Sequence, residues 1–104
     1  FDLSSNYFGG IRILEVLGKL ENLMYLSLSN ASFFGEIPPH LSNLSRLIHL
    51  DIHYNRDLYP QNLDWVSSLS SLKYLDMRRL NLSGVGENWL TAINMLPSLL
   101  EFCF

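Results

Sequence analysis

Residues 23–47 read LMYLSLSNASFFGEIPPHLSNLSRL, and this stretch decides the fold. It opens with leucines at alternate positions, passes through Gly35-Glu36-Ile37-Pro38 and closes on a second leading leucine. Leading leucines recur at Leu23, Leu47, Leu72 and Leu99, so the intervals are 24, 25 and 27 residues. A period of this length is typical of short structural units that stack side by side. One unit cannot bury its own apolar face, so the sequence predicts a solenoid.

Each unit opens with a segment in which apolar and polar residues alternate. These segments are residues 25–29, 49–53 and 74–78. Alternation sends the leucines, Ile52 and Met77 to one face of a strand and the residues between them to the other face. Because the units stack in register, we expect their strands to form one parallel sheet with a polar outer face.

The return segments differ between units. In the second unit Pro38 and Pro39 oppose helix formation, so the chain there is expected to be extended or 3₁₀. The third and fourth units carry apolar residues three or four apart, which predicts short helices with one buried face. These residues are Trp65, Val66, Leu69 and Leu72, followed by Trp89, Ile93 and Leu96. The expected fold class is α/β, with a parallel concave sheet and short 3₁₀ or α segments on the convex side.

Composition and the chain ends bear on domain organisation. The chain is 48% hydrophobic and 16% charged with a net charge of -3, which argues against a disordered acidic tail and against a nucleic-acid partner. The expected repeats cover residues 1–22, 23–46, 47–71 and 72–98, with a truncated repeat at 99–104. Neither end has a polar capping unit. We therefore expect an internal fragment of a longer protein, in which any membrane anchor lies outside this chain.

The run from Leu26 to Leu41, with its Gly-x-Ile-Pro element, resembles the plant-type extracellular leucine-rich repeat. Residues 63–72, 81–83, 89–90 and 96–99 resemble the early repeats of plant receptor-like proteins, in particular the group related to the ethylene-inducing-xylanase receptors. The resemblance implies a leucine-rich-repeat solenoid on the extracellular side of the plasma membrane, reached through the secretory pathway. It also implies a part in immune signalling, with a protein or peptide ligand and a co-receptor as partners.

Two alternatives share this repeat pattern. The first is the ectodomain of a leucine-rich-repeat receptor kinase, which would differ in having a kinase after the membrane span. The second is a secreted protein similar to the polygalacturonase inhibitors, which has no membrane anchor. Sequence beyond this chain would separate the three.

The outward strand residues should stand in columns with a spacing of about 4.8 Å. One column holds Tyr25, His49, Tyr74 and Glu101, the next holds Asp2, Ser27, Asp51, Asp76 and Cys103, and the third holds Ser4, Ser29, His53 and Arg78. Tyrosine and arginine often anchor protein interfaces because each combines a large contact area with a polar end. We predict a contact patch formed by Tyr25, His49, Asp51, His53, Tyr74, Asp76 and Arg78. The alternative is an ordinary solvated surface, since any such strand must place polar groups outward.

Catalysis and metal binding are not expected here. Asp51 and Asp76 are neighbouring carboxylates, but an open sheet lacks the cleft that perturbs titrating groups, and we expect Arg78 and His53 to neutralise them across strands. His49 and His53 would stand about 13 Å apart on an extended strand, which is too far for one metal ion. We therefore predict no catalytic residue, no metal and no cofactor.

Asparagines have two expected uses. Sequons at Asn30, Asn43 and Asn81 predict glycosylation. Asn6 and Asn55 each stand three residues after the second apolar residue of a strand, where an amide can satisfy backbone groups of the turn. Ala31 and Leu80 hold the equivalent places, so we expect those two repeats to satisfy their turns through backbone contacts or water.

Overall fold

Six short strands build two parallel sheets in the part of the chain that the structure describes. The computed structural model describes residues 2, 4–5, 22–37, 39–60, 63–82, 85 and 89–103. The main sheet has four strands, which are β1 (Tyr25–Ser27), β3 (His49–Asp51), β5 (Tyr74–Asp76) and β6 (Glu101–Cys103), in that spatial order. The second sheet pairs β2 (Phe34–Glu36) with β4 (Asp57–Tyr59). This arrangement confirms the predicted leucine-rich-repeat solenoid, and the first predicted repeat lies almost entirely outside the described residues.

The main sheet has the register that the repeat period predicts. Tyr25 pairs with His49, His49 with Tyr74, and Tyr74 with Glu101. Asp2 forms a parallel bridge to Ser27, which extends the sheet by one rung at its first edge. Residues of equal position in successive repeats therefore stand side by side, and the columns expected from the sequence are confirmed.

The leucines on the inner face of the sheet form the core. Leu26, Leu50 and Leu75 stand in one column and are all 0% exposed. Beside them Leu28, Ile52 and Met77 form a second fully buried column. Removing a large apolar side chain from water stabilises the fold by about 1.5 to 3 kcal/mol, so these columns account for the vertical cohesion of the repeats.

The return segments confirm the expected short helices. Pro39–Asn43 and Asp64–Ser68 are 3₁₀ helices, and Trp89–Asn94 is an α-helix that we label α1. Trp65 and Val66 are buried on the inner side of the second 3₁₀ helix, as the apolar spacing predicts. Ile93 of α1 is buried as well, whereas the side chain of Trp89 lies outside the described part of the structure. Within the described ranges, no helix is long and apolar enough to cross a bilayer.

The second sheet was not predicted. Its strands pair Phe34 with Asp57 and Glu36 with Tyr59. Gly35 lies between them with a φ of 92°, a left-handed value that a residue with a Cβ atom reaches at a cost of about 1 to 2 kcal/mol. Only the second repeat carries the Gly-x-Ile-Pro element, so no motif in the third repeat indicated a matching strand there.

Asn55 ties two repeats together through its buried amide. Its Oδ1 atom accepts hydrogen bonds from the backbone N–H groups of Ala31 (3.2 Å) and Phe33 (3.1 Å). Its Nδ2 group donates to the carbonyl oxygens of Leu28 (3.0 Å), Ile52 (3.0 Å) and His53 (3.3 Å). The predicted turn role of Asn55 is therefore confirmed, while Asn6 lies outside the described residues.

The expectation for the repeat with Ala31 was wrong. At this turn the amide of Asn55, from the next repeat, accepts from the backbone N–H groups of Ala31 and Phe33, a partner that was not expected. The stacking of repeats brings this side chain within reach of both turns. An isolated repeat would lack it, which links turn stability to the presence of a neighbour.

Candidate functional site

The seven residues of the predicted contact patch lie together along β1, β3 and β5 and in the residues that follow these strands, and six of them reach the surface, whereas Asp76 is fully buried beneath them. Register places Tyr25, His49 and Tyr74 in one column and Asp51 and Asp76 in the next. His53 and Arg78 follow at the strand ends, where the Asn30 N–H donates to the His53 carbonyl and the Tyr54 N–H to the Arg78 carbonyl. The structure thus brings the seven residues together. Their role in binding stays a prediction.

An aromatic stack runs along the first column. The ring centroids of Tyr25 and His49 are 4.2 Å apart with an interplanar angle of 18°. Those of His49 and Tyr74 are 4.2 Å apart with an angle of 5°. Parallel strands repeat at about this spacing, so flat side chains in one column can stack face to face. The stack gives this column a continuous aromatic surface across three strands.

Asp76 is the centre of a hydrogen-bond network beneath the surface. It is 0% exposed. Arg78 donates to it from Nη2 (2.8 Å to Oδ2), Nε (3.0 Å to Oδ1) and its backbone N–H (3.1 Å to Oδ1). The Tyr74 hydroxyl donates to Oδ2 at 3.2 Å. Tyr74 on the same strand and Arg78 just after it therefore hold this carboxylate in one orientation.

Electrostatics keep Asp76 charged in spite of its burial. Burial alone would raise the pKa of the Asp76 carboxyl, but hydrogen bonds from the side chain and backbone of Arg78 and the charges of His53 and Arg78 hold that pKa below its ordinary value. Burial and the adjacent Asp76 charge raise the pKa of the Tyr74 phenol. Asp76 is thus an acceptor that orders its neighbours. It is not placed to exchange protons with a substrate.

His53 connects the two strands that carry the carboxylates. Its Nδ1 atom lies 2.5 Å from Oδ1 of Asp51 and 3.5 Å from Oδ2 of Asp76. The expectation that Arg78 and His53 both act across strands was half wrong. Arg78 pairs with Asp76 two residues away on its own chain segment, because side chains at i and i+2 of a strand share a face. His53 alone reaches across.

Asp51, His53 and Asp76 also offer metal-ligand atoms that all lie within 4.8 Å of one another. Sequence reasoning missed this set because it compared the two histidines of one strand, whereas the set spans two strands. Both oxygens of Asp76 already accept hydrogen bonds from Arg78. A divalent ion would have to displace these bonds beside a guanidinium charge, so we assign the three side chains to the ion-pair network.

A row of exposed residues beside the aromatic stack was missed. We call it the leading edge, because each member directly follows a leading leucine: Met24, Ile48, Lys73 and Leu100. Met24 is 58% exposed and Leu100 is 81% exposed. Backbone bonds from Ile48 N–H to Met24 O (2.7 Å) and from Lys73 N–H to Ile48 O (2.8 Å) keep the row in register. These residues could have been found from the sequence, because each one directly follows a leading leucine. The alternating segments used for the prediction begin one residue later.

The opposite side of the patch, which we call the trailing edge, consists of Asn30, Tyr54 and Arg79. These three residues occupy one position in successive repeats, and all have positive φ angles, of 50°, 63° and 63°. The Arg56 guanidinium lies 5.5 Å from the ring centre of Tyr54. A shallow cleft of about 420 Å³ opens here between two repeats, with Asn30 and Phe33 on one side and Tyr54 and Arg56 on the other. The trailing edge is therefore polar and carries positive charge.

The sequon asparagines are all exposed. Asn30 lies on the trailing edge, Asn43 ends the first 3₁₀ helix, and Asn81 follows the main-sheet strand of the fourth repeat, β5. The serine that completes the third sequon, Ser83, lies outside the described residues. Exposure is what glycosylation requires, and occupancy stays a prediction.

Comparison with known proteins agrees with the repeat pattern. Residues 22–44 match the family model described as Leucine Rich Repeat. Receptor-like protein EIX1 of Solanum lycopersicum is 40% identical over 100 residues, which is 96% of this chain and 9% of that protein. Receptor-like protein 41 of Arabidopsis thaliana is 35% identical over 83 residues, which is 80% of this chain and 9% of that protein.

A relative that contains a kinase also matches. Serine/threonine-protein kinase BRI1-like 1 of Arabidopsis thaliana is 36% identical over 87 residues, which is 80% of this chain and 7% of that protein. The chain thus spans less than a tenth of the length of each of these three relatives.

Proposed function

This chain belongs to the leucine-rich-repeat family, and we propose that it is a ligand- or protein-recognition segment of a plant cell-surface immune receptor-like protein. Its contact surface is the outer face of the main sheet. The partners are a protein or peptide ligand and a co-receptor. The segment acts on the extracellular side of the plasma membrane and is non-catalytic.

The observation that carries the proposal is the ordered polar face of the main sheet. The stacked rings of Tyr25, His49 and Tyr74 and the Asp76 network hold adjacent side chains in fixed orientations. A surface that is ordered before binding loses less side-chain freedom when a partner docks. Aromatic and arginine side chains are also the types that contribute most to protein interfaces. Similarity to receptor-like proteins over 96% of the chain supports the same role.

The state of the carboxylates supports a non-catalytic role. Asp76 is held charged by Arg78, and Asp51 is hydrogen-bonded to His53. Asp76 is buried and its pKa is lowered, whereas a general acid needs a raised pKa and access to substrate. The BRI1-like relative favours a second candidate, the ectodomain of a receptor kinase, in which this segment would have the same recognition role.

Two tyrosines of similar exposure allow a matched test. Tyr25 is 45% exposed in the contact patch, and Tyr59 is 40% exposed on the second sheet. The protein would be expressed in leaves with all the sequence that its gene encodes, and the burst of reactive oxygen would be measured after treatment with a panel of microbial culture filtrates. We expect Tyr25→Ala to reduce the response and Tyr59→Ala to leave it unchanged.

The same leaves test localisation. A fluorescent fusion of the protein should label the plasma membrane, and variant levels there should match the parent protein. Equal responses from the two tyrosine variants would contradict recognition through this face. The absence of any filtrate response, or retention of the protein inside the cell, would contradict the immune receptor role.

A further inference from the structure

We infer that the cleft on the trailing edge holds the first sugar, an N-acetylglucosamine, of a glycan attached to Asn30. This inference rests on the proposed extracellular location, because asparagine-linked glycans belong to secreted proteins and ectodomains. It gives the sugar a place in the structure. The first sugar packs against the protein, and only the rest of the glycan extends into solvent.

Asn30 begins a sequon and forms part of the wall of this cleft. The sequon is Asn30-Ala31-Ser32, and the side chain of Asn30 is exposed. Within the described ranges, no hydrogen bond to the Asn30 side-chain amide is found, so a sugar on Nδ2 displaces none. The other sequon asparagines, Asn43 and Asn81, do not line this cleft. The cleft is therefore placed for the glycan of Asn30 alone.

Repeat stacking puts the ring of Tyr54 one rung away from Asn30. The two residues hold the same position in successive repeats, and neighbouring parallel rungs are about 4.8 Å apart. The Asn30 N–H donates to the carbonyl of His53 at 3.0 Å, and the Tyr54 N–H donates to the carbonyl of Arg78 at 2.9 Å. These bonds fix both backbones, so a sugar on Asn30 starts within reach of the ring.

The two walls of the cleft are ordered before any sugar arrives. Oδ1 of Asn55 accepts from the N–H groups of Ala31 (3.2 Å) and Phe33 (3.1 Å), in the segment that forms one wall. On the other wall the Arg56 guanidinium lies 5.5 Å from the ring centre of Tyr54. A site that is already ordered loses less freedom when it is filled.

The cleft presents the two kinds of group that contact a sugar ring. One face of N-acetylglucosamine carries C–H groups, which pack on the negative face of an aromatic ring, and Tyr54 is 45% exposed. The rim of the sugar carries hydroxyl groups and an acetamido group, which need donors and acceptors. Exposed side chains supply both, because the Arg56 guanidinium donates, the Asp57 carboxylate accepts and the Ser32 hydroxyl does either.

The size of the cleft favours one tethered sugar. Its volume of about 420 Å³ lies near the lower end of the roughly 300 to 1,000 Å³ typical of small-molecule pockets, so it has no room for a branched oligosaccharide. A shallow cleft binds a free sugar weakly. A sugar tethered at the wall has a high effective concentration there, which favours the chain's own glycan over a separate carbohydrate.

The covalent step is the ordinary one for this modification. Nδ2 of Asn30 forms a bond to C1 of the first N-acetylglucosamine of a lipid-linked diphosphate oligosaccharide. The bond between C1 and the phosphate oxygen breaks, Nδ2 loses one proton, and the lipid diphosphate leaves. Transfer takes place on the growing chain, so the cleft receives the sugar when the repeats stack.

Two tyrosines of equal exposure provide the test. Tyr54 and Tyr25 are both 45% exposed, so hydroxyl radicals should oxidise them at similar rates when no sugar is present. The protein is expressed in plant cells with all the sequence that its gene encodes, and peptide mass spectrometry measures sequon occupancy and tyrosine oxidation. We expect Asn30 to be occupied and Tyr54 to react several-fold more slowly than Tyr25.

Two enzymes identify the sugar that protects the ring. The cells are treated with a mannosidase inhibitor so that both enzymes can cut the glycans. An endoglycosidase that leaves only the first N-acetylglucosamine should keep Tyr54 protected. A peptide N-glycosidase, which removes the whole glycan, should raise the oxidation rate of Tyr54 to that of Tyr25.

A pair of variants provides the matched control. Asn30→Gln should raise the oxidation rate of Tyr54 as the peptide N-glycosidase does. Asn43→Gln, which removes a sequon outside the cleft, should leave that rate unchanged. Circular dichroism checks that both variants fold, and the two enzyme treatments of the parent protein decide the question if a variant does not.

Several results would overturn the inference. One is an unoccupied Asn30, and another is a Tyr54 that reacts as fast as Tyr25 while Asn30 carries its glycan. Loss of protection after the endoglycosidase would show that outer sugars cover the ring. Protection of Tyr54 in Asn30→Gln by a free N-acetylglucosamine oligosaccharide would identify a site for a separate ligand.

Occupancy at the other sequons separates this inference from the proposed function. Glycans at Asn43 or Asn81 with none at Asn30 would overturn the inference and leave the extracellular location intact. A protein without a glycan at any sequon would overturn the inference, and the plasma-membrane label and the leaf assay would then decide the proposed function independently.

Discussion

Replacing Asn55 by alanine should destabilise two repeats at once. The amide is 1% exposed and makes five hydrogen bonds, two to backbone N–H groups of the preceding repeat and three to carbonyl oxygens. A buried polar group left without a partner costs about 1 to 3 kcal/mol. Relaxation and water will satisfy some of these groups, so we expect a loss of about 3 to 5 kcal/mol in the free energy of unfolding.

Two measurements check the Asn55→Ala variant. Urea unfolding followed by tryptophan fluorescence reports the free energy of unfolding, and Trp65 is a buried reporter. Amide hydrogen exchange should show lost protection at Ala31 and Phe33, because their N–H groups donate to Oδ1 of Asn55 in the parent protein. Asn94→Ala is the control, since that side chain is exposed and should change stability by less than about 0.5 kcal/mol. A variant that keeps its stability and its protected amides would refute the coupling of repeats through this side chain.

Three further predictions concern stability. The pKa of Asp76 is lower in the folded chain than in the unfolded chain, so the unfolded chain binds the proton more readily. This carboxylate therefore contributes stability above its unfolded pKa of about 4, and the contribution is lost as pH falls through the lower folded pKa. In Asp76→Asn, the urea midpoint should change less with pH between pH 2 and 6 than it does in the parent protein. Gly35→Ala should cost about 1 to 2 kcal/mol in a urea titration because φ at this position is 92°. Leu50→Ala should cost about 2 to 5 kcal/mol because the side chain is fully buried, and an Ile48→Ser variant that lost as much would contradict the inside and outside assignment of this strand.

The sheet and its columns were predictable because they depend only on the intervals between the leading leucines. Once leading leucines recur at Leu23, Leu47, Leu72 and Leu99, parallel stacking places Tyr25, His49 and Tyr74 side by side without further information. The same reasoning placed Leu50 inside and Asp51 outside. Period and alternation therefore fix which residues are neighbours along the stack.

Side-chain contacts were less predictable because they depend on rotamers as well as register. His53 was expected to pair with a carboxylate on the neighbouring strand, and it does reach Asp76. Arg78 was expected to do the same, but it pairs with Asp76 of its own chain segment. The turn of the repeat with Ala31 was expected to use backbone contacts or water, yet Asn55 of the next repeat covers it. In each case the contact depends on where a side chain points, which spacing in the sequence does not determine.

Two features, the leading edge and the second sheet, were not predicted because the alternating apolar and polar pattern does not include their residues. The alternating segments begin at Tyr25, His49 and Tyr74, so the exposed residues Met24 and Ile48 just before them were left out of the patch. The second sheet needs a strand that follows no motif in the third repeat. A search that began at each leading leucine would have found the leading edge.

Hydroxyl-radical footprinting tests the central claim most directly, that the outer face of the main sheet is where a partner binds. The protein is footprinted with and without the culture-filtrate protein fraction that elicits the leaf response. Met24 and Met95 are 58% and 65% exposed, and Tyr25 and Tyr59 are 45% and 40% exposed, so each pair reacts similarly when free. We predict that the fraction protects Met24 and Tyr25 and leaves Met95 and Tyr59 unchanged. Protection of Met95 and Tyr59 with no change at Met24 and Tyr25 would contradict the account.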